Sequence, residues 1–192
     1  VIGEEPLSPQ LEGLRREFLA AGHNVEELLD GMTEEEFRTR IQPGTWSVGE
    51  CLGHLNAVAR LYHPVLERAI EAGREQGYFG TGPFGYGLGG WLSVRLMEPP
   101  PRLRLTTPRT FRPLDHGPLR EVRKEFDEGR GRFLAALDEA GGLDLSRIKV
   151  VSPASSLLRL NLAAAFAFLA AHERRHLWQA RQVRRALGIS SS

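Results

Sequence analysis

The chain has 192 residues, 41% of them hydrophobic and 26% charged, with a formal net charge of +1. Those proportions fit a single globular domain over residues 1–192 with a sizeable core, and they exclude a disordered or strongly polyionic chain. A near-neutral balance, with no basic block interleaved with aromatics, argues against a nucleic-acid partner.

The one cysteine, Cys51, excludes an internal disulfide and suits a reducing compartment. The opening residues carry no apolar signal core, and no apolar run reaches the roughly 20 residues that cross a bilayer. A cytoplasmic protein without a membrane partner is the expectation.

Ser8-Pro9 reads as an N-cap followed by proline at the first helical position. Leu11, Leu14, Phe18, Ala21, Val25 and Leu28 then recur at spacings of three and four, the stripe of an amphipathic helix, which Gly31 stops. Gly22 is a weak point inside it. Thr33 and Glu36 have capping-box spacing for one short helical turn, and Gln42-Pro43-Gly44 breaks the chain. Ser47 and Glu50 repeat the capping box at the second long helix, which makes Glu50 a cap. Cys51, Leu55, Val58 and Tyr62 form its inward stripe, with His54 beside it. Pro64 predicts a kink, and the pattern fades around Gly73.

Residues 75–117 read as irregular: a glycine-rich stretch over 77–90, a short apolar piece from Trp91 to Met97, then three prolines and a basic, threonine-bearing segment. So long a connection is functional or mobile as a rule, and it reads as a cover over one end of the bundle. A third helix begins near Pro118, with Leu119, Val122, Phe126, Phe133, Leu137 and Ala140 inward. Gly129 and Gly131 weaken its middle, and Gly141-Gly142 ends it. Leu143 to Pro153 reads as extended, and Ser155 or Ser156 as the cap of the final helix. Four amphipathic helices, no convincing strand pair and a long irregular connection between helices two and three predict an all-α four-helix bundle.

The final helix carries the chemistry. Its stripe runs Leu162, Ala165, Leu169, His172, His176, Gln179 and Val183, placing two histidines where a core would hold leucine. Buried imidazoles need partners, and a metal ion satisfies two at once. His172 to His176 also spells H-E-x-x-H, the zinc-protease pattern. After His176, however, the chain has no Asp, Glu, His or Cys, so a third ligand must come from upstream. His54 is the natural third ligand; Cys51, one turn before it, is a soft-ligand alternative or a small buried apolar residue. His23, His63 and His116 lie off the core stripes and read as surface residues. Glu173, about 100° around the helix from His172, is a candidate catalytic base or the partner of a neighbouring arginine. Gln179 can orient the site or bond across helices, and Tyr62 and Trp178 read as packing. Gly80-Thr81-Gly82-Pro83-Phe84-Gly85 fits a dinucleotide fingerprint in spacing, but no strand precedes it. A metal-free bundle with buried histidines is the plainer alternative to a metal site.

The segment from Pro43-Gly44-Thr45-Trp46-Ser47 through Gly53-His54-Leu55 resembles the second-helix signature of the DinB/YfiT-like family. His172-Glu173-Arg174-Arg175-His176-Leu177-Trp178-Gln179 resembles that family's final-helix signature. Pro101 through Pro113 is a thinner match to the segment before its third helix. The resemblance implies a four-helix bundle holding one divalent metal, nickel or zinc for preference, on His54, His172 and His176. It further implies a metal-dependent transferase or hydrolase acting on a small electrophilic substrate, with a low-molecular-weight thiol as cosubstrate. A non-catalytic metal-binding stress or interaction protein is the other reading. Relatives are often dimers, so a homodimer is an expectation of the same kind.

Overall fold

The structure, a computed structural model, describes residues 7–101, 106–112, 117–155 and 157–189. Helix α1 (Pro9–Leu29) opens as expected, with Ser8 Oγ accepting from the Leu11 N–H and Pro9 in the first turn. Every residue of its predicted stripe is buried. The short α2 (Glu34–Arg38) has its Thr33–Glu36 capping box and buries Phe37. Helix α3 (Val48–Glu75) starts on the Ser47–Glu50 box and stays helical through Pro64, which sits exposed. Helix α5 (Leu119–Glu139) buries Val122, Phe126, Phe133 and Leu137, with Leu119 half-buried at its start. Helix α6 (Leu162–Ala186) completes the set.

α1 packs against α5 and α6, and α3 packs against the same two. Each long helix thus has two long neighbours, and the four close into a bundle, all-α as the hydrophobic period dictates. No helix among the described residues is long and apolar enough to cross a membrane.

Glycine sets how closely these helices approach. A Cβ at Gly22 would lie 2.4 Å from the Arg130 guanidinium carbon, so this apparent weak point of α1 is the slot for an arginine of α5. At Gly129 a Cβ would stand 3.1 Å from Ala59 Cβ, which marks a tight α3–α5 contact.

The core falls into two apolar clusters. One gathers around Phe18, Tyr62, Leu66, Phe133 and Phe166. The other gathers around Val25, Phe37, Leu52, Phe126 and Leu177. Along α3 the change from one to the other falls between Leu55 and Val58, and along α6 between Ala170 and Leu177. Those intervals border or contain His54, His172, Glu173 and His176, so polar side chains occupy the seam.

Three expectations are corrected. First, the connection is not irregular throughout: Gly87–Met97 is a helix, α4, lying against α6. Its glycines hid it, and Tyr86 offers no capping side chain. Gly90 is what lets it dock, since a Cβ there would come 2.7 Å from Ala164 Cβ. The preceding glycine-rich loop does cover an end of the bundle. Gln10 brackets Phe84 with two hydrogen bonds, and Asn161 Nδ2 donates to the Gly85 carbonyl at 2.8 Å.

Second, a strand pair exists. Lys149–Val151 (β1) and Arg159–Asn161 (β2) pair antiparallel, with Val150 opposite Leu160 and both buried. Three-residue strands are too short to register as an alternating pattern.

Third, the final helix starts later than Ser155 or Ser156 implied. Asn161 is the N-cap, its Oδ1 accepting from the Ala164 N–H at 2.9 Å. Ser155 instead serves the hairpin turn, accepting from the Leu157 N–H at 3.3 Å, and Ser156 lies outside the described residues. The unbroken apolar run upstream of Ala171 concealed this boundary, because buried β2 and buried α6 look alike in composition.

Candidate metal centre

The position of His54 is set by the start of its helix. Ser47 Oγ accepts from the Glu50 N–H at 3.1 Å, and the Glu50 carboxylate accepts from the Ser47 N–H at 2.9 Å. Arg40 adds a further bond to the same carboxylate at 2.7 Å. With α3 anchored there, His54 comes one turn later on the buried side, 4% exposed. Its Nδ1 donates to the Phe111 carbonyl at 2.6 Å. A carbonyl only accepts, so Nδ1 carries the proton and Nε2 presents a lone pair.

That lone pair faces α6. His54 Nε2 lies 3.2 Å from His172 Nε2, and ring centroids are 4.5 Å apart for His54–His176 and 4.6 Å for His172–His176. One potential ligand nitrogen from each of the three rings falls within 4.8 Å of the others. The rings are held by stacking: Phe168 against His172 at 5.8 Å and Trp46 against His176 at 5.6 Å. Gln179, one turn on from His176, forms a side-chain hydrogen bond with it.

Burial keeps these imidazoles neutral. It lowers the pKa of His54 against the bond to Phe111, and takes that of His172 down to about 3, with His54 and Arg175 adding to the effect. His176 is held well below its ordinary value, again chiefly by burial. Neutral imidazole is the metal-binding form. Nδ1 of His172 and Nδ1 of His176 are buried without a hydrogen-bond partner, capacity that a buried polar group rarely leaves unmet. The donor set therefore fits a divalent ion: three neutral nitrogens, a carbonyl orienting one of them, and an aromatic shell.

A cleft of about 1120 Å³ opens onto the histidines. The connection between α3 and α5 supplies one wall, including Met97, Pro101, Pro108 and Phe111, the last residue of the short helical turn Arg109–Phe111. Trp46, Tyr62, Trp178 and Gln179 line it as well, so Tyr62 and Trp178, read from sequence as packing, also face the cleft. Phe111 was missed by sequence reasoning altogether. Nothing in a primary structure marks a backbone carbonyl as the partner of a histidine 57 positions earlier.

Other candidates fall elsewhere. Cys51 is fully buried, outside the cleft lining and outside the converging ligand atoms, and burial pushes its thiol pKa far up. The reading of a small apolar core residue holds. Glu173 is not among the residues that line the cleft. Its carboxylate is buried, with Oε2 lacking a hydrogen-bond partner, and burial raises its pKa to about 8 against the pull of Arg130 and Arg174. The arginines inside the motif have structural work: Arg174 pairs with Glu17 and Glu98, and Arg175 Nη1 donates to the Leu96 carbonyl at 2.9 Å.

His23 is exposed, as expected, and His116 lies outside the described residues. His63 is a correction. It is 4% exposed, packed on the Phe133 ring at 4.3 Å, because it sits one position past the Tyr62 stripe on the side covered by α5. Burial and the charge of Arg132 lower its pKa to about 4.

The fold and site define a class: a bundle of four long helices that brings three histidines close enough together to hold a metal ion between facing helices. The sequence model of the DinB superfamily matches residues 17–180, and the chain belongs to that superfamily. The match spans all three histidines. No curated protein and no solved structure matches the chain.

Proposed function

We propose that the protein binds one divalent metal ion, nickel or zinc, through His54, His172 and His176. In this reading it is a transferase or hydrolase for a small electrophile, with a low-molecular-weight thiol as cosubstrate. The observation that carries it is the opening of the cleft onto the three neutral imidazoles. A structural site is closed by its ligands, whereas a catalytic one keeps a position open toward substrate. Imidazole donors suit nickel and zinc alike. Such an ion supplies Lewis acidity and lowers the pKa of a water molecule or thiol that reaches it. The chain's own residues do the positioning: the Phe111 carbonyl fixes the His54 tautomer, Gln179 bonds to His176, and Trp46 and Phe168 hold the rings. Glu173 has no part in this scheme, because its carboxylate belongs to the bundle interior beside Arg130.

The test is elemental analysis of untagged protein beside a His172→Ala variant, followed by a screen of thiols against electrophiles. About one ion per chain, lost in the variant, with metal-dependent thiol consumption, is the expected result. No uptake of nickel or zinc by either protein overturns the reading. Stoichiometric metal without turnover leaves only the non-catalytic metal-binding alternative.

A further inference from the structure

Helix α4 is apolar on two sides. Toward the bundle, Gly90 and Met97 are buried and Val94 packs against the core. Leu88, Trp91 and Leu92, spaced three and four, share another side and are 84%, 57% and 49% exposed. Arg95 is the one charged residue among the eleven of this helix. A helix that is apolar all round is buried as a rule, and α4 is not.

The β1–β2 hairpin continues this surface, since β2 touches both α4 and α6. Val150 and Leu160 point into the core, which leaves Lys149, Val151 and Arg159 on the exposed face, and Leu157 in the turn is 92% exposed. Of the eight large apolar side chains exposed among the described residues, five are on α4 and the hairpin. Apolar exposure is therefore concentrated on two neighbouring elements, a pattern that marks an interaction surface. Both elements adjoin the cleft, α4 through Met97 and the hairpin turn through Ala154.

The charge of these elements has one sign. Residues 76–97 contain Arg95 and no Asp or Glu, and residues 145–161 contain Arg147, Lys149 and Arg159 and again no Asp or Glu. The chain as a whole balances 25 basic residues against 24 acidic ones, so the bias is local. The flanking acids have partners of their own: Glu98 pairs with Arg174, and Asp144 accepts from the Ser146 N–H.

Apolar side chains set among cations complement an anionic lipid surface. Cations draw such a face to the headgroups, while tryptophan and leucine enter the boundary with the acyl chains. A second copy of the chain fits less well, because a two-fold contact sets the patch against itself and cation near cation. The lack of a spanning helix bears on crossing a bilayer, not on lying against one.

We infer that the face formed by α4 and the hairpin seats on an anionic phospholipid bilayer. Leu88, Trp91, Leu92 and Leu157 enter the interface, and Arg95, Lys149 and Arg159 meet the headgroups. The inference is independent of the metal reading.

Flotation with vesicles tests it, using phosphatidylcholine alone and two parts phosphatidylcholine to one part phosphatidylglycerol. The native chain is compared with two triple variants, Leu88→Ser with Trp91→Ser and Leu92→Ser, and Arg95→Gln with Lys149→Gln and Arg159→Gln. All six side chains are exposed. The expected result is at least tenfold stronger binding to the anionic vesicles than to the neutral ones, weakening as salt is raised. Each triple variant should bind the anionic vesicles at least tenfold less. Trp46 and Trp178 line the cleft, so a blue shift of emission on binding should come from Trp91 and vanish in Trp91→Phe.

Equal binding to the two kinds of vesicle overturns the inference, as does anionic binding that either triple variant keeps. A blue shift that survives Trp91→Phe overturns it too. A dimer in sedimentation that the serine variant loses, with no vesicle binding by the native chain, assigns the face to a second copy and overturns the inference as well. Should the serine variant fail to fold, the glutamine variant and Trp91→Phe carry the test by the same criteria.

Discussion

His54 Nδ1 and the Phe111 carbonyl, 57 positions apart, meet at 2.6 Å and together decide which nitrogen of His54 faces the other histidines. Phe111 can hold this place because its ring is buried, 3% exposed, against the bundle. Phe111→Ala should therefore act at a distance from the ligands. Loss of such an orienting partner lowers metal affinity by roughly 10–100-fold, and truncating the buried ring costs about 3 kcal/mol of stability. Competition with a chromogenic chelator measures the first effect and denaturant unfolding the second. Native affinity in a folded Phe111→Ala protein would show that the buried ring is not what holds the carbonyl against His54.

Glu173→Gln separates the H-E-x-x-H pattern from its usual chemistry. A general base contributes about 10²–10⁴-fold to rate. Because Glu173 lies outside the cleft lining, metal content and any thiol-dependent turnover are expected to stay within about threefold of native, well short of that range. A hundredfold loss of turnover with full metal occupancy would restore Glu173 to the reaction.

His63 should make stability pH-dependent in a defined direction. Its folded pKa is about 4, against 6.5 for the unperturbed side chain. Between those values the unfolded chain takes up a proton that the folded chain refuses. Stability is therefore full above about pH 6.5 and declines as pH falls toward 4, by at most about 1.4 kcal/mol per pH unit for this one group. The metal-free His63→Leu protein should lose less stability than the native chain between pH 7 and pH 5, as read from denaturation midpoints. Parallel declines in the two proteins would mean that His63 is protonated in the folded state.

The start of α6 offers a simple check on helix capping. Removing an N-cap side chain costs about 1 kcal/mol, so Asn161→Ala should lower the unfolding free energy by that amount. Ser155→Ala, in the hairpin turn, should change it by less than about 0.5 kcal/mol. The opposite ranking would move the functional cap back to the serine.

Much of this molecule was legible in its sequence because the relevant signals are local. The caps at Ser8, Thr33 and Ser47 and the stripes of the long helices depend on residues three or four apart, and each formed as the spacing required. The same holds for His172 and His176, whose common face follows from helical geometry alone. A lone histidine gives less away: His54 could be singled out because two others awaited a partner, while His63, with a similar flank, read as surface. Burial of His63 depends on where α5 lies.

Tertiary structure decided the rest, and for one reason. Contacts between distant segments leave no period in the chain. The docking of α4 required Gly90 to meet Ala164, the fit of Arg130 required the empty space at Gly22, and the tautomer of His54 required a backbone carbonyl from a connection that looked structureless. The direction of Glu173 was open in the sequence, since a residue beside a ligand can turn either way from the helix face. Packing of α6 between α1 and α3 buried it within reach of the charges of Arg130 and Arg174, and it is not among the described residues that line the cleft.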